Sequence, residues 1–331
     1  MCKKLFAAAA AVLSIALISP AHAEDDVRIA LVVKALGIGF FEAANEGAQE
    51  AAEELGNVEV IYTGPTTTTA EGQIEVISSL IAQRVDAIAV SANDQDALVP
   101  ILKRAQQRGI QVISWDSGVA PEGRTVHLNP SSNELIGRMN VQLAADALEA
   151  KGIRSGEMAI LSATPTSTNQ NIWIEEMKKA LPEFSQLELV DTVYGDDLAD
   201  KSYREAVALM RNHPNLDVIV APTTVGILAA AQAVSDEGRI GEVYVTGLGL
   251  PSELAGHVDS GAIHNFAIWN PIDLGYAATM IAYNLVQGDA SDDSVEMGRM
   301  GTAELDDDGN AAMSDPFVYD ASNVQDFADI F

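Results

Sequence analysis

Short apolar, β-branched runs alternate with longer segments in which apolar positions recur at helical spacing, and the alternation continues along most of the chain. Residues 27–33, 58–62, 86–90 and 110–115 predict strands, with helices over 41–55, 70–83 and 97–108 between them. A second series follows, with helices over 132–150, 169–181, 201–212, 225–237, 252–260 and 272–286 and strands over 158–162, 187–193, 217–221, 243–246 and 262–268. Strands separated by helices of this length imply parallel sheets with helices on both faces. Two such series predict two similar α/β lobes. In open sheets of this kind the ligand lies beyond the carboxyl ends of the strands, so chemistry is expected in the segments just after them.

The N-terminus departs from this pattern. Lys3 and Lys4 precede an apolar run over 5–18, and Pro20 introduces Ala21-His22-Ala23 ahead of Glu24-Asp25-Asp26. A basic start, a short apolar stretch and a small-x-small site together read as a secretory signal peptide over 1–23. A membrane-spanning helix needs about 20 apolar residues, more than this run supplies. The single cysteine, Cys2, lies before the apolar run and so leaves with the peptide. No intramolecular disulfide, four-thiolate zinc site or CxxC pair can form.

Composition narrows the function. The 331 residues, 48% hydrophobic and 20% charged, suit about two globular domains. Against 19 Lys plus Arg stand 48 Asp plus Glu, a net charge of −29 that becomes −31 once Lys3 and Lys4 are removed. A chain this acidic repels phosphate backbones and anionic lipid surfaces, which argues against nucleic-acid binding. No further stretch reaches membrane-spanning length. His127, His213, His257 and His264 lack metal-ligand spacing and no G-x-S-x-G elbow occurs, so neither catalysis nor a metal or cofactor is expected.

The segments after strands share one chemistry. Lys34-Ala35-Leu36-Gly37-Ile38-Gly39-Phe40-Phe41 joins two glycines to two aromatics but lacks the third glycine of a dinucleotide fingerprint. Lys34 can donate to hydroxyls, while Phe40 and Phe41 either pack in the core or stack on the C–H face of a sugar. Ser91-Ala92-Asn93-Asp94 follows the third strand and Trp115-Asp116-Ser117 the fourth. Asp116 either caps a turn or accepts from two adjacent hydroxyls, because a carboxylate at the end of a buried strand needs a partner. In the second lobe, Thr168-Asn169-Gln170, Pro222-Thr223-Thr224 and Trp269-Asn270-Pro271 each precede a helix that they can also cap. Amides, hydroxyls, a carboxylate and aromatics together suit a neutral polyhydroxylated ligand.

Through segments 34–41, 73–90, 112–117 and 168–173, together with the signal peptide, the chain resembles bacterial periplasmic sugar-binding proteins of the ribose-binding type over essentially its whole mature length. Within that group it is similar to rhamnose-binding proteins and to the autoinducer-2-binding proteins of Lsr-type transporters. Tyr62-Thr63-Gly64-Pro65-Thr66, Thr246-Gly247-Leu248-Gly249-Leu250-Pro251 and Phe266-Ala267-Ile268-Trp269-Asn270-Pro271-Ile272-Asp273 carry the rhamnose likeness. The resemblance implies an α/β type I periplasmic binding protein: two Rossmann-like lobes with parallel sheets, joined by a three-segment hinge, closing over one ligand and delivering it to an ABC permease. The lobes are expected over 24–118 with 271–290 and over 119–270 with 291–331, in a monomeric periplasmic protein without cofactor.

Residue by residue the likeness is uneven. Lys34, Asp116, Gln170 and Pro222 fit the autoinducer-2 pattern, but Asn169 stands where a second Asp is expected and Thr224 where an Ala is expected. The lost carboxylate argues against autoinducer-2 and leaves a neutral 6-deoxyhexose compatible. Asp94 matches a ligand Asp of ribose binders, yet Leu248-Gly249 replaces another acidic sugar contact and their paired arginines are missing. The expected ligand set is Lys34, Phe40, Phe41, Asp94, Asp116, Asn169, Gln170, Pro222, Thr224, Trp269 and Asn270. It surrounds a neutral monosaccharide, rhamnose first and autoinducer-2 as the alternative.

Overall fold

The structure, a computed structural model, describes residues 26–289, 291 and 293–331. The expected signal peptide over 1–23, with Cys2, lies outside the described residues. β1 (Val27–Val32), α1 (Gly39–Leu55), β2 (Val58–Thr63), α2 (Ala70–Gln83), β3 (Ala87–Val90), α3 (Val99–Gln106) and β4 (Gln111–Trp115) alternate as the pattern predicts, and β5 (Val126–Asn129) follows. The second series comprises α4 (Asn133–Ala150), β6 (Gly156–Ser162), α5 (Thr168–Ala180), β7 (Leu187–Tyr194), α6 (Ala199–Asn212), β8 (Leu216–Ala221), α7 (Thr224–Asp236), β9 (Tyr244–Gly247), α8 (Pro251–Ser260) and β10 (Asn265–Ile268). The chain ends with α9 (Pro271–Gln287), the hairpin β11 (Ser294–Glu296) and β12 (Thr302–Glu304), then β13 (Asn310–Ala312), β14 (Phe317–Asp320) and α10 (Val324–Phe327).

Two sheets result. The first has the order β13-β5-β4-β3-β1-β2, every pair parallel. The second runs β7-β6-β8-β9, also parallel, and bridges at Val245–Ile263 and Leu248–Ala267 attach β10, whose other edge pairs antiparallel with β14. A parallel sheet covered on both faces needs apolar side chains on both, which explains the unbroken apolar run in β1. Ile29 and Leu31 pack with Ala44 and Ala48 of α1, whereas Ala30 and Val32 pack with Ile77 of α2 and Leu102 of α3.

Strand pairing shifts two of the expected lobe boundaries. Residues 126–129 and 310–312, expected in the second lobe, join the first sheet, where β5 pairs with β4 and β13 with β5. Both strands are short and carry His127, Asn129 and Asn310, so neither shows as an apolar run. The acidic stretch between β12 and β13 is a turn: Asp306 accepts from the backbone N–H of Asp308 and of Asn310, and Gly309 adopts a φ of +71°. The chain therefore passes between sheets three times, after β5, after β10 and after β13.

α9 returns to the first lobe and crosses α1 with the two backbones in contact. A Cβ on Gly47 would sit 1.7 Å from the carbonyl oxygen of Ile272, and one on Gly275 would sit 1.8 Å from that of Ala44. Only glycine fits either place. Since α1 opens with Phe40 and Phe41, and Trp269 lies just before Asn270, the N-cap of α9, this crossing fixes the aromatic wall of the cleft between the lobes.

Candidate functional site: the cleft between the lobes

Lys34 leaves the end of β1, buried, and reaches across to the other lobe. Its Nζ donates to Ser167 Oγ at 2.9 Å and to Asn169 Oδ1 at 3.0 Å, at the start of α5. Its own backbone carbonyl accepts from Asn93 Nδ2, and Gln73 braces that loop by accepting from Asn93 N–H and donating to the carbonyls of Val33 and Ser91. Asp116 follows β4 with a φ of +56°, a left-handed conformation that turns its carboxylate inward. It accepts from Ser91 Oγ at 2.7 Å and from Asn169 Nδ2 at 3.0 Å. Asn169 thus uses both ends of one amide, accepting from Lys34 and donating to Asp116.

A second carboxylate sits nearby. Asp197, in the turn before α6 with a φ of +51°, accepts from Thr223 Oγ1 at 2.5 Å. Burial pushes both carboxyls above the usual Asp range, and in each case Lys34 pulls in the opposite direction. Asp116 further raises Asp197, so the two acids share one lysine.

Phe40 meets Trp269 edge to face at 6.2 Å, Phe41 meets Trp115 at 5.8 Å, and Trp173 meets Trp269 at 5.7 Å. Phe40 and Phe41 belong to the core and face the cleft at once. Between this wall and the polar groups lies a cavity of about 410 Å³ of empty space, its opening included. Gln170 lines it with Nε2 unused among the described residues, because Oε1 accepts from Ser162 Oγ and Ala163 N–H. The buried Nε1 of Trp269 likewise has no partner among the described residues.

Of the expected residues, the cavity brings together Lys34, Phe40, Phe41, Asp116, Asn169, Gln170, Pro222, Thr224 and Trp269. Asp94 and Asn270 stand outside it, which corrects both expectations. Asp94 Oδ1 closes a turn by accepting from the N–H of Asp96 and Ala97, while the cleft side of that loop is formed by Asn93. Asn270 caps α9, accepting from the N–H of Ile272 and Asp273. Asn270→Ala is therefore expected to cost about 1 kcal/mol of stability, read as a lower denaturant midpoint, with ligand affinity unchanged. Asp197, Thr223, Trp173, Ile38, Leu248 and Ile268 line the cavity without having been anticipated. Asp197 was open to the same reasoning as Asp116, since Gly195-Asp196-Asp197 also follows a strand. Thr223 Oγ1 also accepts from Gly226 N–H, capping α7.

Five hydrogen bonds join the lobes around this cavity: the two from Lys34, one from Asn169 Nδ2 to Asp116 Oδ1, one from Thr166 Oγ1 to the carbonyl of Asn93, and one from Thr68 Oγ1 to that of Asp196. The donors and acceptors are those of a site for hydroxyl groups. No cluster of His, Cys, Asp and Glu side chains that could hold a metal ion occurs among the described residues.

Comparison with known proteins agrees with this geometry. Residues 29–290 match the periplasmic binding protein domain. The D-ribose/D-allose-binding protein of Pseudomonas aeruginosa is 29% identical over 238 residues, 70% of this chain and 73% of that protein. An ABC transporter solute-binding protein from Clostridium phytofermentas, solved with bound L-rhamnose, is 36% identical with a TM-score of 0.86, covering 92% of this chain and 99% of that one. LsrB from Clostridium saccharobutylicum, solved with AI-2, is 25% identical with a TM-score of 0.86, covering 91% and 99%. With its two parallel sheets, three crossings and a cleft between the lobes, the chain belongs to the periplasmic binding protein family, whose members are substrate-binding proteins rather than enzymes.

Proposed function

We propose that this protein is the periplasmic sugar-binding component of an ABC importer and that its cleft takes a neutral 6-deoxyhexose, L-rhamnose. The likeness to the rhamnose-bound and ribose/allose-binding proteins supports the sugar class, and the signal-like segment over 1–23 supports export. The observation that carries the finer reading is the amide of Asn169. An aspartate there would accept from Lys34 but offer nothing to Asp116, and three carboxylates would then surround one lysine. With asparagine the lattice closes and leaves Asp116 and Asp197 as acceptors for sugar hydroxyls. Two acids against one lysine also disfavour anionic sugars.

In this reading Lys34, Asp116 and the free amide of Gln170 bind hydroxyls, and Phe40, Phe41 and Trp269 take the C–H face and the 6-methyl group. Pro222 and Thr224 close the remaining side. Lys34, Phe40, Phe41 and Asp116 come from one lobe, and Asn169, Gln170, Thr224 and Trp269 from the other. A ligand therefore makes its full set of contacts only when the lobes close. That difference shifts the open–closed equilibrium and presents the permease with a loaded, closed form. Charge-assisted hydrogen bonds of roughly 1.5–3 kcal/mol each suffice for micromolar affinity, about −8 kcal/mol, after the costs of binding.

A thermal-shift panel of L-rhamnose, ribose, fucose and autoinducer-2 on the mature protein tests the assignment, because a ligand that binds only the native state raises the melting temperature. L-rhamnose is expected to give the largest rise. A clear rise with autoinducer-2 and none with L-rhamnose would replace this reading by its alternative, an autoinducer-2 receptor.

A further inference from the structure

The sugar cavity does not end at its own walls. At Ile38, Asp197 and Thr224, which line both, it adjoins a groove of about 620 Å³. Pockets of roughly 300–1,000 Å³ hold whole small-molecule ligands, so at about 620 Å³ the groove has room for a sugar ring. It persists although the lobes already touch on both sides of it, at Lys34 with Asn169 and at Thr68 with Asp196. The space is thus present alongside direct contacts between the lobes.

Its lining has the mixed character of a site for a sugar ring. Leu36 from one lobe and Leu198 from the other are 40% and 45% exposed, and Leu228 adds a third apolar side chain. Thr66 and Thr67 supply hydroxyls from the loop before α2. Glu253 enters from α8 and accepts no hydrogen bond among the described residues. It lies where Gly39 leaves room, since a Cβ on Gly39 would come within 2.6 Å of Glu253 Oε1. Asp197, Asp200 and Glu253 give the groove acidic character, and none of its lining residues is Lys, Arg or His.

We propose that this groove is an outer subsite, so that the ligand is a rhamnose-terminated glycoside whose second, uncharged sugar ring lies against Leu36, Leu198 and Leu228 with its hydroxyls toward Glu253 and the threonines. The proposal rests on the rhamnose reading of the inner cavity and extends it from a monosaccharide to a disaccharide. The acidic lining excludes a uronic acid from the second position.

Calorimetry of the full mature chain tests this with three probes: L-rhamnose, an α-L-rhamnosyl-glucose disaccharide, and the corresponding α-L-rhamnosyl-galacturonate. The neutral disaccharide is expected to bind about tenfold tighter than L-rhamnose, and the acidic one no tighter than L-rhamnose. Thr67→Trp, an exposed position at the groove rim, is expected to remove that gain while leaving L-rhamnose affinity within about twofold. Glu253→Gln is expected to reduce the gain without affecting L-rhamnose. Equal or weaker binding of the neutral disaccharide, beside normal L-rhamnose binding, would overturn the outer subsite and leave the inner reading intact. An equal gain from the acidic disaccharide would overturn it too. Binding of none of the three would overturn both readings together.

Discussion

Asp116→Asn is expected to weaken sugar binding about 100-fold or more while leaving the fold intact. The side chain keeps its size and its place: the substituted amide accepts from Asn169 Nδ2 and donates to Ser91 Oγ, which replaces both contacts of the native carboxylate. What disappears is the charge offered to the ligand hydroxyls. Two charge-assisted hydrogen bonds reduced to neutral ones lose about 3 kcal/mol together, which corresponds to about 100-fold in affinity. Stability responds in the other direction. A carboxyl whose pKa rises on folding holds its proton more tightly in the native state. The contribution of Asp116 therefore favours folding below the ordinary carboxylate pKa and is lost as pH rises through the raised folded value. At neutral pH the native carboxylate is a burden on the empty protein, and removing its charge is expected to hold the melting temperature steady or raise it by a few degrees. Calorimetric titration and a melting curve on the same sample read both effects. Unchanged affinity would remove Asp116 from the site, and a collapse of the fold would make it a structural residue instead.

Gly275→Val is expected to destabilise the fold severely. Its Cβ would fall inside the carbonyl of Ala44, and the obstruction is backbone, so no rotamer change relieves it. The reciprocal contact at Gly47 leaves α1 no direction in which to yield without losing the Ile272 side of the crossing. Overpacking of this kind costs about 3 kcal/mol or more, a fall of about 5 °C or more in melting temperature for a chain of this size. It also separates Phe40 and Phe41 from Trp269, so the surviving folded fraction is expected to bind sugar weakly. Gly109→Ala is the control, because Gly109 has a φ of +83° but nothing within 4 Å of an added Cβ. There the loss is limited to the conformational strain of about 1 kcal/mol. Equal melting temperatures for the two variants would show that the α1–α9 crossing is not the tight contact described.

The α/β alternation was legible because β1, β3 and β4 are buried on both faces and therefore read as continuous apolar runs, with amphipathic helices between them. The strands that escaped, β5 and β13, complete an edge of the first sheet with polar residues, such as the buried His127 and the half-buried Asn310. They shifted the expected lobe boundaries for the same reason. Within the site, position after a strand was enough to single out Lys34 and Asp116. It did not separate the two carboxylates that look inward from one that does not, because Asp116 and Asp197 are turned by positive φ values, whereas Asp94 folds back onto its own turn. Residue type alone does not announce that backbone choice. Asn270 shows the complementary ambiguity: an amide before a helix is equally fit to cap it or to face a ligand, and here it caps. Phe40 and Phe41 resolve the other way, since a short aromatic pair at a helix start reaches core and cleft together.

The central claim is that the cleft is built for a neutral 6-deoxyhexose. Titration calorimetry of the purified mature chain, first with L-rhamnose and then with autoinducer-2, tests it most directly. A single site for L-rhamnose with a Kd of about 1 µM is expected, with no saturable heat from autoinducer-2. Saturable binding of autoinducer-2 by a protein that gives no heat with L-rhamnose would contradict the claim.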